Sequence, residues 1–582
     1  MIWNCVSVTI KPYFGSIFMP TFYLEEMHLK FKRKSMKDFV NRFIKCLSIM
    51  IMALAVSVVS AQTSKPIPHL QKKGSATQLI VDGKPFLILG GELGNSSSSS
   101  TNFMNSIWPT LEKLNLNTVL APVYWELIEP QEGKFDFSLV NDLILSARQR
   151  DIHLVLLWFG SWKNSMSCYT PDWVKKDYTR FPRSRDISNI PTEILSPFVK
   201  ANLDADKKAF SELMRFIKKI DGDNHTVILI QVENEIGMLP NARDYQIQAQ
   251  NAFSSEVPLE LINYLKSNKN KLLPEFSSIW EKAGSKTKGT WQDVFGKDIS
   301  TDEIFMAWYF GKYVNEITTA GKTEYPLPMY LNAALNRPNK LPGEYPSAGP
   351  LPHLIDVWRA ASPSIDFLSP DIYYPDFSKW CALYDRAGNP LFIPEARFEP
   401  ACGAKAFYAL GNHQAMGFSP FSIESTTDPV KEPISASYKI LKQLAPQILE
   451  HQGTETMKGF LFDKDHQVDT IRLGGYQIVA KHDFTLGWSP QSKDETWSTM
   501  GGMIICTGEG EYFVAGEGIV LSFPPVDNKT FVGIETIEEG VFENRNWKPD
   551  RRLNGDQRHQ GRHLRITTDK PEIQFLKLYK YE

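Results

Sequence analysis

Glu233, Asn234 and Glu235 follow directly on the run Thr226–Gln231 (TVILIQ). Carboxyl groups set beside an amide can take up and release protons and hold hydroxyl groups, which is the work of acid–base catalysis. The run before them is apolar or β-branched at five of its six positions, and the turn-like DGDN of Asp221–Asn224 bounds it upstream. That pattern predicts a strand buried on both faces, as in a parallel sheet. Acidic residues add nothing to the packing of such a strand. A buried parallel strand that opens into a polar cluster at its carboxyl end is where a (β/α)8 barrel keeps its reactive groups. The plainer alternative is a solvated acidic loop.

A barrel needs eight such strands, and the chain offers them. QLIVDGKPFLILGGE reads as a hairpin around Asp82-Gly83, whose second arm, Phe86–Gly91, is strand 1, with Glu92 just past its end. Strand 2 is Thr118–Val123, ending in Tyr124-Trp125-Glu126, and strand 3 is His153–Phe159, ending in GSWKN. The opening stretch is strand 4, followed by a long excursion over 240–300. Leu327–Asn332, Ile365–Ser369, Leu391–Ile393 and Ala415–Phe421 complete the set, the sixth followed by PDIYYP and the seventh by PEARFE. Helically spaced apolar residues lie between the strands, as in Phe103–Leu114 and Leu139–Ile152. These repeats predict a (β/α)8 TIM barrel over 77–452. No glycine-rich phosphate loop follows strand 1, which argues against an open doubly wound sheet. Beyond Thr454 short β-like runs alternate with turns, predicting a smaller all-β sandwich over 453–582. Within it, Arg545–Arg562 reads as a solvated loop.

The totals fit a soluble chain of more than one domain: 582 residues, 22% charged, 42% hydrophobic and a formal net charge of -2. The charge balance excludes a basic nucleic-acid binder. Lys37, Arg42 and Lys45 precede the apolar run Cys46–Val59, and Val59-Ser60-Ala61 offers a small-residue cleavage site. The run is short for a membrane span, so residues 1–61 read as an extension plus a secretory signal cleaved after Ala61. No membrane span is then expected in the mature chain, and a secreted or periplasmic location follows. Residues 62–76 read as a polar linker. Cys168, Cys381, Cys402 and Cys506 lack metal-ligand spacing, and the 11 His are scattered, so neither a metal nor another cofactor is expected.

Val232–Gly237, VENEIG after an apolar strand, resembles glycoside hydrolase family 35, mostly β-galactosidases, within a clan of barrel glycosidases with Asn-Glu at the end of strand 4. YWELIEP followed by GKFDF is similar to the family's strand-2 pattern. The resemblance implies that Glu235 is the general acid/base, Asn234 its partner at the sugar 2-hydroxyl, and the strand-7 carboxylate Glu395 the nucleophile. Two-carboxylate glycoside hydrolysis needs such a pair facing the anomeric carbon from opposite sides, about 5–5.5 Å apart in retaining enzymes. Burial and the charge of Glu395 would raise the pKa of Glu235. Glu399 is the local rival, four residues further into the loop. Glu92, Trp125, Trp158, Lys163, Asn164, Glu233 and Tyr373 sit at strand ends and are candidate sugar contacts.

The chain departs from the family pattern where it has Pro122, Ile236 and GSWKNSMS. Lys163 and Asn164 stand where the family binds galactose, and a lysine there would also suit an acidic sugar. The expected function is therefore a retaining, exo-acting β-galactosidase working on plant polysaccharide side chains or oligosaccharides. The alternatives are a glycosidase of the same clan with β-glucosyl, β-mannosyl or uronosyl specificity, and a non-catalytic carbohydrate-binding barrel.

Overall fold

Eight parallel strands close into a barrel in this computed structural model, which describes residues 65–582 together with Met36 and Lys45. The leader and its cleavage after Ala61 lie outside the described residues. The barrel strands are β1 (Ile88–Glu92), β2 (Thr118–Tyr124), β3 (His153–Phe159), β4 (Val227–Gln231), β5 (Met329–Ala334), β6 (Phe367–Ile372), β7 (Ile393–Ala396) and β8 (Gly417–Pro420). Every residue in them is buried except His153 and Ala334, as a sheet covered on both faces requires. β8 returns to β1 through Gly417↔Ile88 and Phe418↔Leu89. Side chains alternate between two apolar environments. In β3, Val155, Leu157 and Phe159 fill the barrel interior, whereas Leu154, Leu156 and Trp158 pack into the layer under the helices.

Two segments differ from expectation near the barrel floor. The polar linker contains a strand, His69–Lys73, and the hairpin's second arm breaks at Leu87. His69–Lys73, Ala76–Val81 and Lys84–Phe86 form a separate antiparallel sheet, and its Leu79 and Val81 pack against the interior residues Ile88, Val155 and Phe392. The long excursion folds into four short helices, Ile247–Phe253, Leu259–Asn268, Pro274–Lys282 and Trp291–Phe295.

The carboxyl-terminal part forms two antiparallel sheets of six and four strands. Phe460, Ile504, Val514 and Leu576 of the larger share a core with Ile478, Leu521 and Ile566 of the smaller. The larger sheet is buried on its other face as well. Met457, Met503, Ile505 and Ala515 join the barrel's helix layer, against the helices Cys402–Asn412 and Pro433–His451. Close approach sets this contact. A Cβ on Gly459 would lie 2.7 Å from the backbone N of Asn412, and one on Gly411 would lie 2.9 Å from the Cα of Gly459. The expected loop at 545–562 instead begins with a strand, Asn546–Arg552, paired with Phe531–Glu543, and the remainder is turns and a short helical turn at Gly555–Arg558. Trp547 anchors it by packing on Phe513 and Phe542.

Glu517, at the end of a strand of the larger sheet, lines a cavity of about 470 Å³ facing the barrel helices. Burial alone lifts its carboxyl from 4.5 to about 7. The neutral acid is the form the fold accommodates. Its contribution is therefore complete below pH 4.5 and is lost as pH rises towards 7, a difference on the order of 3 kcal/mol. Glu517→Gln is expected to raise Tm at pH 8 and leave it unchanged at pH 4. Thermal unfolding at the two pH values checks this, and an equal shift at both contradicts it.

Candidate active site

Four carboxyl groups meet at the carboxyl ends of the barrel strands. Glu92 ends β1, Asp371 lies in β6 and Glu395 in β7, with Asp371 and Glu395 side by side in register. Glu235 arrives from the loop after β4. One carboxylate oxygen from each of Glu235, Asp371 and Glu395 lies within 4.8 Å of the other two. The Asn332 amide of β5 links two of them: its Nδ2 donates to Asp371 Oδ2 at 2.6 Å and its Oδ1 accepts the Glu235 backbone N–H at 3.0 Å. The Tyr373 hydroxyl donates to Glu395 Oε1, and Asn164 Nδ2 donates to Glu235 Oε2. The Lys163 ammonium is held by Asn164 Oδ1 and stands 5.3 Å from the centre of the Phe159 ring. Glu92, Lys163, Glu235, Asp371 and Glu395 are all 5% exposed or less, so the centre is nearly closed.

The backbone that delivers these groups is zipped and strained. The β3 loop joins the β4 loop through Asn234 N–H to Trp162 O at 3.2 Å and Ser165 N–H to Glu235 O at 3.0 Å. Asn164, Ser165, Glu233 and Glu235 all take positive φ, between 45° and 69°. Non-glycine residues adopt that region at a cost, and such strain gathers at functional sites. Asn234 is fully buried, and neither atom of its side-chain amide has a partner among the described residues. An amide left open at both ends is suited to a ligand hydroxyl, which can donate and accept.

Crowding sets the protonation. Burial first, then repulsion from Glu235, lifts Glu395 to about 7, against the opposing pull of Lys163 and the Tyr373 hydroxyl. Burial and then the charge of Glu395 hold Glu92 well above the usual carboxylate range, and the same two causes act on Asp371. Like charges in a low dielectric keep protons among them. The spacing of Glu235, Asp371 and Glu395 would also fit a cation bound by oxygens. Hydrogen-bond donors nevertheless reach an oxygen of all three, which suits groups that carry protons better than groups that ligate a metal.

Three expected sugar contacts turn away from this centre. Trp125 and Trp158 are fully buried in the helix layer, with Trp125 Nε1 donating to Glu129 Oε2 at 2.9 Å and Trp158 Nε1 to Asp206 Oδ1 at 2.9 Å. Both rings pack in the layer under the helices, away from the carboxyl cluster. Glu233 accepts the Trp162 N–H at 2.8 Å and faces Asp206. Burial and the Asp206 charge raise its carboxyl well above the usual range. Gly160 permits this arrangement, because a Cβ there would lie 2.2 Å from Trp158 Nε1 and 2.8 Å from Glu233 Oε1. Glu399 pairs with Lys405 outside the carboxyl cluster. Glu92, Lys163, Asn164, Asn234, Glu235, Tyr373 and Glu395 gather at the centre, joined by Asp371 and Asn332, which sequence reasoning missed.

The molecule is thus a (β/α)8 barrel carrying a nearly closed, carboxyl-rich centre at the end where barrel proteins do chemistry. Residues 97–295 match the family model of glycoside hydrolase family 42, described as beta-galactosidase. Residues 434–565 match a domain of unknown function, DUF5597. The matching model is therefore that of family 42 and not of the expected family 35. What stands is the coarser resemblance to β-galactosidase-type barrels. A beta-galactosidase of Xanthomonas manihotis is 29% identical over 216 residues, 35% of this chain and 32% of that one. Beta-galactosidase 11 of Arabidopsis thaliana is 38% identical over 72 residues, 12% of this chain and 8% of that one. The chain thus spans a third or less of these curated relatives. The solved structure of a catalytic mutant of Gan42B, a GH42 beta-galactosidase from G. stearothermophilus, has a TM-score of 0.47 at 9% identity, covering 84% of this chain and 98% of that one. The beta-galactosidase of Bacillus circulans scores 0.44 at 16% identity, covering 62% and 57%. The barrel assignment rests on the closed ring of eight strands itself.

Proposed function

We propose that this protein is a retaining glycoside hydrolase that removes terminal β-galactosyl residues from plant polysaccharide side chains or oligosaccharides. The observation that carries the reading is the approach of Glu235 and Glu395 oxygens to within 4.8 Å in a centre where each residue is 5% exposed. Retaining enzymes hold their carboxyl pair about 5–5.5 Å apart, whereas inverting enzymes need about 6.5–9.5 Å for a water. Glu395 attacks the anomeric carbon and Glu235 protonates the leaving oxygen. Glu235 then takes a proton from the water that frees the sugar. The unpartnered Asn234 amide receives the sugar 2-hydroxyl. A nearly closed centre suits a terminal sugar better than a continuous chain. The leader expected from the sequence supports a secreted or periplasmic site of action.

Lys163 favours a second reading, a terminal uronosyl residue. Among the described residues its buried ammonium is hydrogen-bonded by the Asn164 amide and paired with no carboxylate, although it eases the ionisation of Glu92 and Glu395, so it can also meet an anionic sugar. Incubating the protein from Gln62 onward with nitrophenyl β-glycosides tests both readings. Release from the β-galactoside with β-galactose as the first anomer seen by NMR is the expected result. Release from the β-galacturonide alone supports the second reading. An α-anomer as first product excludes retention.

A further inference from the structure

A cavity of about 810 Å³ runs along the outside of the barrel, beside the segments that hold the nucleophile. It is lined by Tyr374, the residue after the tyrosine that donates to Glu395, and by Glu399, four residues beyond Glu395. From there it descends between the helices Phe377–Tyr384 and Cys402–Asn412. The carboxyl-terminal sheet supplies the opposite wall, with Lys458, Leu461, Asp463 and His466. The Gly459–Gly411 contact fixes that wall against the barrel. We propose that this cleft is the leaving-group side of the substrate site and takes the neutral backbone of a β-galactosylated polysaccharide.

Four observations point to that ligand. The volume lies in the range of about 300–1,000 Å³ typical of ligand sites, and the cleft sits where two packed bodies meet. Its charges are of both signs with acids in excess: Lys379, Lys405 and Lys458 stand among Asp376, Glu399, Asp463, Asp465 and Asp469. That acidic excess disfavours a polyanion, and the mixed donors and acceptors suit an uncharged chain with many hydroxyls. Tyr374 and Tyr408 are half-buried at its wall and offer ring faces or edges beside hydrogen-bonding groups. The strand Met457–Phe462 is an edge strand, paired on one side only, and its Lys458, Gly459, Phe460 and Leu461 line the cleft. A terminal galactose in the closed centre would leave the polymer at the rim by Tyr374, from which the cleft leads away. The proposal rests on the galactosidase reading for the nature of its ligand.

The test uses xyloglucan and β-1,4-galactan as probes. Tyr374→Ala alters the barrel wall and Lys458→Glu alters the sheet wall. Each is expected to leave kcat/KM on nitrophenyl β-galactoside within about twofold and to lower it at least about tenfold on one of the polysaccharides, the loss of one good contact. In a second arm, Glu395→Gln protein is run through gels containing either polysaccharide. It is expected to be retarded in one of them, and addition of either cleft substitution is expected to release it. Equal losses on small and polymeric substrates, unchanged retardation in the double variants, or no retardation in either gel overturns the cleft proposal. Failure to cleave the nitrophenyl galactoside overturns the galactosidase reading instead, and the gel arm still decides the cleft.

Discussion

Glu395→Gln is expected to lower kcat on nitrophenyl β-galactoside by at least about ten-thousandfold, the scale seen when a covalent nucleophile is removed. The substitution keeps the shape of the side chain and its hydrogen bond from Tyr373, so folding should be intact. Glu235→Gln is expected to behave differently. Nitrophenolate leaves without a proton, so the first step survives and the second, which needs a base, becomes slow. The glycosyl-enzyme then accumulates, giving a burst of nitrophenol, a low KM, and a kcat reduced by about a hundred- to ten-thousandfold. On an alkyl β-galactoside, whose leaving group needs the proton, both steps fail. Asp371 is the control inside the same cluster. Burial and the charge of Glu395 hold it well above the usual carboxylate range, and it has no part in the two proton and nucleophile steps, so Asp371→Asn, which keeps the shape of the side chain, should keep most of the activity. A Glu395→Gln enzyme that turns over while Asp371→Asn is dead would reverse the assignment of the nucleophile.

Asp371 is instructive because the apolar runs hid it. Apolar or small residues mark the barrel strands, most plainly as the Val-, Ile- and Leu-rich runs of the third and fourth, since a strand covered on both faces is apolar along most of its length. In the sixth and seventh strands the run ends before the strand does. The sixth run stops at Ser369, yet β6 continues through Pro370, Asp371 and Ile372. The seventh run stops at Ile393, yet β7 carries Glu395 within it. At the reactive end of a barrel the inward side chains are polar because the site needs them, so polarity there marks the site and not the end of the strand. The opposite error fell on Trp125 and Trp158. A strand that is apolar on both faces gives no alternation from which to tell inside from outside. In β3 the inward set is Val155, Leu157 and Phe159, which puts Trp158 with the helices. Glu233 was misplaced for a third reason. Positive φ at Glu233 and Glu235 sends neighbouring acids in different directions, and one sequence does not announce a left-handed residue that is not glycine. Glu235 and Glu395, expected at the ends of strands 4 and 7, lie together in the carboxyl cluster, and such acids stand out because a buried strand gains nothing in packing from an acid at its end.

Lys163 makes the remaining large prediction, and it separates the two readings of the sugar. Attack requires Glu395 as the anion, so kcat/KM should fall as pH drops through about 7, where the free enzyme's Glu395 takes its proton. Lys163 opposes the burial and the Glu235 charge that raise Glu395. Removing the ammonium in Lys163→Met therefore moves the acid limb to higher pH, by about one unit for a nearby opposite charge. At pH 6 the ionised fraction, and with it kcat/KM on a neutral β-galactoside, should fall about tenfold, one power of ten per unit. Well above the shifted limb the variant should recover, because the anion then forms without help. Lys163→Arg keeps the charge and should keep the limb. A uronosyl substrate gives a different signature. Its carboxylate would pair with Lys163 in the bound complex, so Lys163→Met would raise KM at every pH, and alkaline solution would not restore it. A pH profile of kcat and KM for both substrates thus shows whether Lys163 serves the nucleophile or the sugar. A limb that stays in place in Lys163→Met would mean that the Tyr373 hydroxyl, the other group that favours the Glu395 anion, is enough to keep it available.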